Sequence, residues 1–194
     1  MTVGQYRRID LGLFAAIMAV FETLLVTAAT KWFPNEPYTV SVVPAVTTIV
    51  MMRWGPWAGV HAVLGGIVFC AASGARLPHY AVYGAGNLLA LAALAPLRHA
   101  TPEGVRSSAF RSMLLALAVP LLMQAGRAAV SMLLGTPAAL AAGFFATDVI
   151  TLLFTVVLIW IARRMDGVFE EQRHYLLRIH SQEENEERGG FYER

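Results

Sequence analysis

Six stretches of this chain are almost unbroken in their apolar character, roughly residues 9–31, 38–52, 56–74, 79–97, 110–135 and 138–162. A helix needs about 20 mostly apolar residues to cross about 30 Å of hydrocarbon, and the stretches come close to that length. The second is short, and Arg53-Trp54-Gly55-Pro56 divides it from the third, which predicts a tight helical hairpin. Pro56 suits the first turn of a helix, where its missing N–H is not needed. The expected fold is an all-α integral membrane bundle of six transmembrane helices.

After residue 162 the pattern changes. Of 15 Lys/Arg and 13 Asp/Glu in the chain, six and eight respectively fall in residues 163–194. The expected organisation is a membrane domain, residues 1–162, and a charged tail, residues 163–194. Within 165–188, Val168, Phe169, Gln172, Leu176 and Ile179 form a stripe suited to an amphipathic helix. Such a helix would lie on the membrane surface or on a cytoplasmic partner. The acidic run Glu183-Glu184-Asn185-Glu186-Glu187 disfavours anionic lipid and so favours a protein partner, and Gly189-Gly190 reads as a stop.

Composition narrows the class. The chain is 57% hydrophobic and 14% charged, against about 25% charged for an average soluble domain, which argues against a soluble fold. No basic cluster interleaved with aromatics points to nucleic acid. The lone Cys70 excludes an intrachain disulfide. The first apolar run is too long for a cleavable signal peptide and lacks a small-residue cleavage site.

Loop charge sets the expected orientation, because Lys and Arg in short loops stay cytoplasmic. With the N-terminus inside, Arg7, Arg8, Arg53, Arg98, Arg106, Arg111, Arg163 and Arg164 are inner, and only Lys31 and Arg76 are outer. Both termini are therefore expected in the cytoplasm of a cell-membrane protein. Trp32, Trp54, Trp57 and Trp160 fall at span ends, where indole prefers to sit.

Three formally charged residues remain at bilayer depth, where each costs at least about 2.5–3.5 kcal/mol on insertion scales: Glu22, Arg127 and Asp148. All three fall at a similar depth on the exterior side of the midplane. Gln124 lies one turn below Arg127, and Asn87 lies near the middle of span 4. Together they predict one polar chamber opening outward. Arg127 paired with Asp148 or Glu22 would simply pin two helices. Two acids and one base leave an odd charge, however, so either Glu22 is neutral or a ligand or cation completes the balance. Arg127 could equally greet a carboxylate or phosphate on that ligand. Tyr38, Thr39 and Ser41 open span 2 after the segment Trp32-Phe33-Pro34-Asn35-Glu36-Pro37, which is a pocket lid or an ordinary proline-stiffened turn. His61 has no metal-ligating partner at i+3 or i+4 and reads as a hydrogen-bonded packing residue. No metal or cofactor is expected.

Small residues recur at helix-packing spacing, as in Gly12/Ala16, Ala15/Ala19, Gly55/Gly59, Ala81/Ala85 and Ala125/Ala129. In span 1 they form a stripe that could face a second membrane protein. No phosphate-binding loop, nucleophile elbow or zinc-protease motif occurs, so no catalytic constellation can be named and an enzyme is not expected. Nor is there the pair of broken spans that marks a self-sufficient transporter.

A six-span chain of this size, with both ends inside, the motif Ala15-Ala16-Ile17-Met18-Ala19 in span 1, a structured first outer loop and polar groups in the outer halves of spans 4–6, resembles a substrate-binding S component of an energy-coupling factor (ECF) transporter. The resemblance covers about residues 8–162. It implies capture of a vitamin or similar micronutrient from outside and docking onto a long membrane subunit that carries two ATPases. It further implies that Ala15 and Ala19 are coupling positions and that Asn87, Gln124, Arg127 and Asp148 line the site. The charged tail departs from the family pattern. The alternative is a structural or regulatory membrane protein whose tail recruits a cytoplasmic partner.

Overall fold

The computed structural model describes residues 2–36, 38, 40–97, 102–172, 175–179 and 181. Thr39, Arg98, the acidic run at 183–187 and the glycines after it lie outside the described residues. Every regular element among the described residues is helical.

Helix α1 (Val3–Trp32) starts at a capping box. Thr2 Oγ1 accepts from the Gln5 N–H at 3.3 Å, and Gln5 Oε1 accepts from the Thr2 N–H at 3.0 Å, so two otherwise orphan donors are satisfied. It ends at Phe33, just before Pro34, which disfavours a helical conformation in the residue preceding it. Helix α2 (Val43–Trp54) carries Pro44 in its first turn and leads through a 3-10 turn, Gly55–Trp57, into α3 (Ala58–Ala72). Helix α4 (Leu77–Asn87) continues as a 3-10 stretch, Leu88–Ala93, and a short α5 (Leu94–Leu97). Then come α6 (Pro102–Ser107), α7 (Ala109–Leu133), two short helices α8 (Ala138–Ala141) and α9 (Gly143–Thr147), and α10 (Val149–Ala162).

Four helical runs among the described residues are long and apolar enough to cross a membrane: Val3–Trp32, Val43–Ala72, Leu77–Leu97 and Ala109–Leu133. A fifth is the pair Ala138–Thr147 and Val149–Ala162. The second run is not straight. Val43 and Gly65 would stand about 33 Å apart along one continuous helix, yet a Cβ on Gly65 would strike the Val43 side chain. The chain folds back at Gly55, whose φ of +59° is open to glycine and strained for other residues.

Burial then sorts the helices. Ten of the 12 residues of α2 are buried, so this helix is the central post, touching α1, α3, α7 and α10. Helix α1 is the opposite case, burying only Asp10, Met18, Glu22 and Val26 along one face. Ile9, Leu13 and Leu24 on its other side are 61%, 56% and 61% exposed. Apolar surface on that scale is what a helix shows toward lipid rather than water. The architecture fits a multi-pass membrane protein.

Two elements differ from the sequence expectation. The last apolar stretch is not one straight helix but bends by 41° at Asp148, between α9 and α10. The tail does not form a single helix over 165–188. Residues 163–170 are turns and bends, with Gly167 at φ +68°, and helix resumes only at Gln172 and 175–179. Apolar burial drives the break: Phe169, expected on the stripe of a free helix, is fully buried in the main core with Met52, Val105 and Ile159.

Candidate functional site

Helices α4 and α7 cross with their backbones almost in contact. A Cβ on Gly86 would lie 2.7 Å from the Arg127 N, and one on Gly126 would collide with the Gly86 carbonyl. Only two glycines allow this approach, and it sets Asn87 beside Arg127. The Arg127 Nε–H donates to Asn87 Oδ1 at 2.8 Å, while Asn87 Nδ2 donates to the Ala62 carbonyl of α3 at 3.0 Å. Arg127 Nη1 donates to Asp148 Oδ2 at 2.7 Å, an ion pair at the bend before α10. The guanidinium also sits 4.6 Å from the centre of the Tyr83 ring. One cation thus ties α3, α4, α7 and α10 together.

Glu22 reaches this region from α1. Its Oε2 accepts the Val42 N–H at 2.8 Å, which places a carboxylate on the N-terminus of α2, where the helix dipole favours it. Arg127 and Asp148 lie within electrostatic reach of it. The second oxygen, Oε1, has no hydrogen-bond partner among the described residues, and the same is true of Gln124 Nε2 and Thr47 Oγ1. Glu22, Asn87, Gln124, Arg127 and Asp148 are all at most 4% exposed. The cluster is therefore not the open chamber that the sequence predicts; it is a closed polar layer, because Arg127 spends its charge on Asp148 rather than on solvent.

Above the layer lies a cleft of about 200 Å³ at the C-terminal ends of α1 and α3. Val26, one turn on from Glu22, and Val40, two residues before Val42, are on its wall with Thr30, Phe33, Glu36 and Phe69. Tyr38 is there too, half exposed. Phe69 stacks on Tyr83 with ring centres 4.6 Å apart, and Tyr83 in turn covers Arg127. The aromatic pair is the partition between cleft and ion pair. The segment expected as lid or turn forms one side of this cleft.

The structure brings Glu22, Asn87, Arg127 and Asp148 together, keeps Gln124 buried one turn from Arg127 on α7, and puts Tyr38 on the cleft wall. Ala15 and Ala19 stand apart on α1, half-buried, while Gly12 and Ala16 are exposed. His61 Nε2 donates to the Leu11 carbonyl at 3.0 Å, a tie between α3 and α1. No group of three or more metal-ligating side chains occurs among the described residues.

A second buried ion pair escaped the sequence reading. Arg53, counted there as an inner loop charge, and Asp10, given no role there, are 6% and 8% exposed. Arg53 Nη2 and Nε donate to the two Asp10 oxygens at 2.6 and 2.9 Å, and Trp54 Nε1 adds a third bond at 2.6 Å. Arg53 Nη1 also donates to the Gly167 carbonyl and, at 3.1 Å, to that of Val168. Tyr6 donates to Gln172 Oε1 at 3.2 Å, and Arg106 pairs with Glu170 at 2.6 Å and Asp166 at 3.2 Å. The first part of the tail is thereby tied to the end of the bundle that carries the N-terminus. No local signal pointed to it, since Asp10 has Arg7 at i−3 on its own helix and Arg53 lies 43 residues on.

No family model matches the chain, and no curated protein or solved structure is similar to it.

Proposed function

We propose that this chain is the substrate-capture subunit of an ATP-driven micronutrient importer of the ECF type, with six spans, both termini cytoplasmic, and its cleft facing outward. The observation that carries the reading is the polar layer of Glu22, Asn87, Arg127 and Asp148 set directly beneath a cleft at the end of the bundle opposite the N-terminus. Pinning helices needs only the neutral Arg127–Asp148 pair. Glu22, with an unpartnered oxygen, is a surplus that a purely structural pin does not require.

The hairpin of α2 and α3 supports counting them as two crossings, and α8 to α10 as the sixth. The cluster of loop arginines at the N-terminal end supports placing that end in the cytoplasm. The chain has no phosphate-binding loop, so ATP hydrolysis belongs to partners, a long membrane subunit and two ATPases. The Ala15/Ala19 stripe, half-buried on an otherwise outward-facing α1, is the coupling surface.

Affinity purification from native membranes in mild detergent tests this. Two ATPases and a larger membrane protein are expected to co-purify, and Ala15→Trp together with Ala19→Trp should release them. Recovery of the chain with neither would overturn the assignment.

A further inference from the structure

The cleft and the layer beneath it have a consistent sign. The wall of the cleft presents three aromatic rings, Phe33, Tyr38 and Phe69, and one acidic side chain, Glu36; among the described residues no Arg, Lys or His lines it. Glu36 makes no ion pair among the described residues. One turn below Val26 on the wall is Glu22, fully buried, its carboxyl hydrogen-bonded by the Val42 N–H and Ser41 while Oε1 has no partner among the described residues. Arg127, below the floor, is held by Asp148 and Asn87 and screened by Tyr83 stacked on Phe69, while Lys31 and Arg76, at the same end of the bundle, are exposed and off the wall. An anionic solute would meet the Glu36 carboxylate at the mouth and a second acid below the floor, with no basic group on the wall to receive it. A cation would meet both carboxylates and the faces of aromatic rings, which attract it through their quadrupoles. The volume of about 200 Å³ is several times the roughly 30 Å³ share of one water, room for a small organic molecule.

We propose that the cleft recognises a small organic cation, an amine or quaternary ammonium carried on a planar or apolar body. The assignment rests on the solute-capture reading and deepens it. The cationic head is drawn by Glu36 at the mouth and Glu22 below, while the body packs among Phe33, Tyr38 and Phe69. This reverses the sequence-level hint that Arg127 greets a carboxylate or phosphate, because that arginine already has its anion.

The full-length chain in lipid nanodiscs is titrated by isothermal calorimetry with three probes that share one ring: benzyltrimethylammonium, benzyl alcohol and benzoate. Saturable binding is expected for the cation, weakened about tenfold for the neutral probe and absent for benzoate. Glu36→Gln, at an exposed position where folding is undisturbed, should weaken the cation about tenfold, and Glu22→Gln should do the same. Benzoate or benzyl alcohol binding as tightly as the cation overturns the cation assignment and leaves solute capture standing. Cation affinity unchanged in both variants also overturns it. Failure of all three probes overturns the cleft as this site, and solute capture is then decided separately by co-purification of the ATPases.

Discussion

Arg127 is a structural pin beneath the cleft, bonded to Asn87 and Asp148 and covered by Tyr83. Its pair with Asp148 is almost completely buried, so removing one partner strands a charge. Arg127→Leu alone should cost about 3–5 kcal/mol, whereas Arg127→Leu with Asp148→Leu should come close to the parent stability, as replacement of buried pairs by apolar groups often does. Thermal unfolding in detergent measures both. Because Tyr83 and Phe69 part this pair from the cleft, the stable double variant should still bind solute. At the other end of the bundle, Trp54→Phe removes the 2.6 Å donor to Asp10 and should cost about 1–3 kcal/mol without touching the cleft. Residues of this kind differed in how legible they were. Glu22, Arg127 and Asp148 stood out because each interrupts a long apolar run. Asp10 and Arg53 did not, because charges near span ends are also what topology alone requires. That Glu22 Oε2 would accept from the N-terminus of α2, leaving Oε1 over, depends on a 20-residue loop closure that no local pattern encodes.

At the scale of elements, the crossing of α4 and α7 decides whether the site exists. Gly126→Ala would drive a methyl into the Gly86 carbonyl, and overpacking of this sort costs about 1–3 kcal/mol. The helices must part, so loss of solute binding should exceed the loss of stability; a variant that binds normally would show that the crossing does not set the site. This contact was hidden in the sequence by abundance, since Ala and Gly recur at packing spacing in nearly every span and nothing local distinguishes Gly86 and Gly126. The helical hairpin was legible because Gly55-Pro56 is punctuation of a recognisable kind. The tail was half legible. Its stripe was expected on one helix facing a membrane surface or a cytoplasmic partner, but Gly167 and the burial of Phe169 in the chain's own core make this part a docked strap. Phe169→Ala should therefore free the strap, at a cost of about 3–5 kcal/mol, and limited proteolysis should then cut between 163 and 172. The Asp166 carboxyl has a pH consequence. Desolvation pushes its pKa up, but hydrogen bonds and charge from Arg178 and Arg106 outweigh this and hold it below the ordinary carboxylate value. A lowered folded pKa stabilises the docked tail at neutral pH and loses that contribution as pH falls through the carboxylate range. Proteolysis of the tail should accelerate on acidification, and Asp166→Asn should flatten that response.

Taken whole, the molecule is organised around a central buried helix, α2, with polar ties at two levels. One tie, Asp10–Arg53–Trp54, fastens the N-terminal end of the bundle to the tail. The other, Asn87–Arg127–Asp148, lies under a cleft at the opposite end. Low overall charge marked the chain from the start as a membrane body, and its few interior charges have now separated into a strap anchor and a candidate site. On the proposed reading, the cleft above the second tie captures a solute. Native mass spectrometry of the chain purified from its own membranes tests that most directly. One small molecule bound per chain, lost in the Glu22→Gln, Glu36→Gln double variant and retained in Trp54→Phe, is the predicted result. A parent protein that carries no adduct, or an adduct that persists in the Glu22→Gln, Glu36→Gln variant, would contradict it.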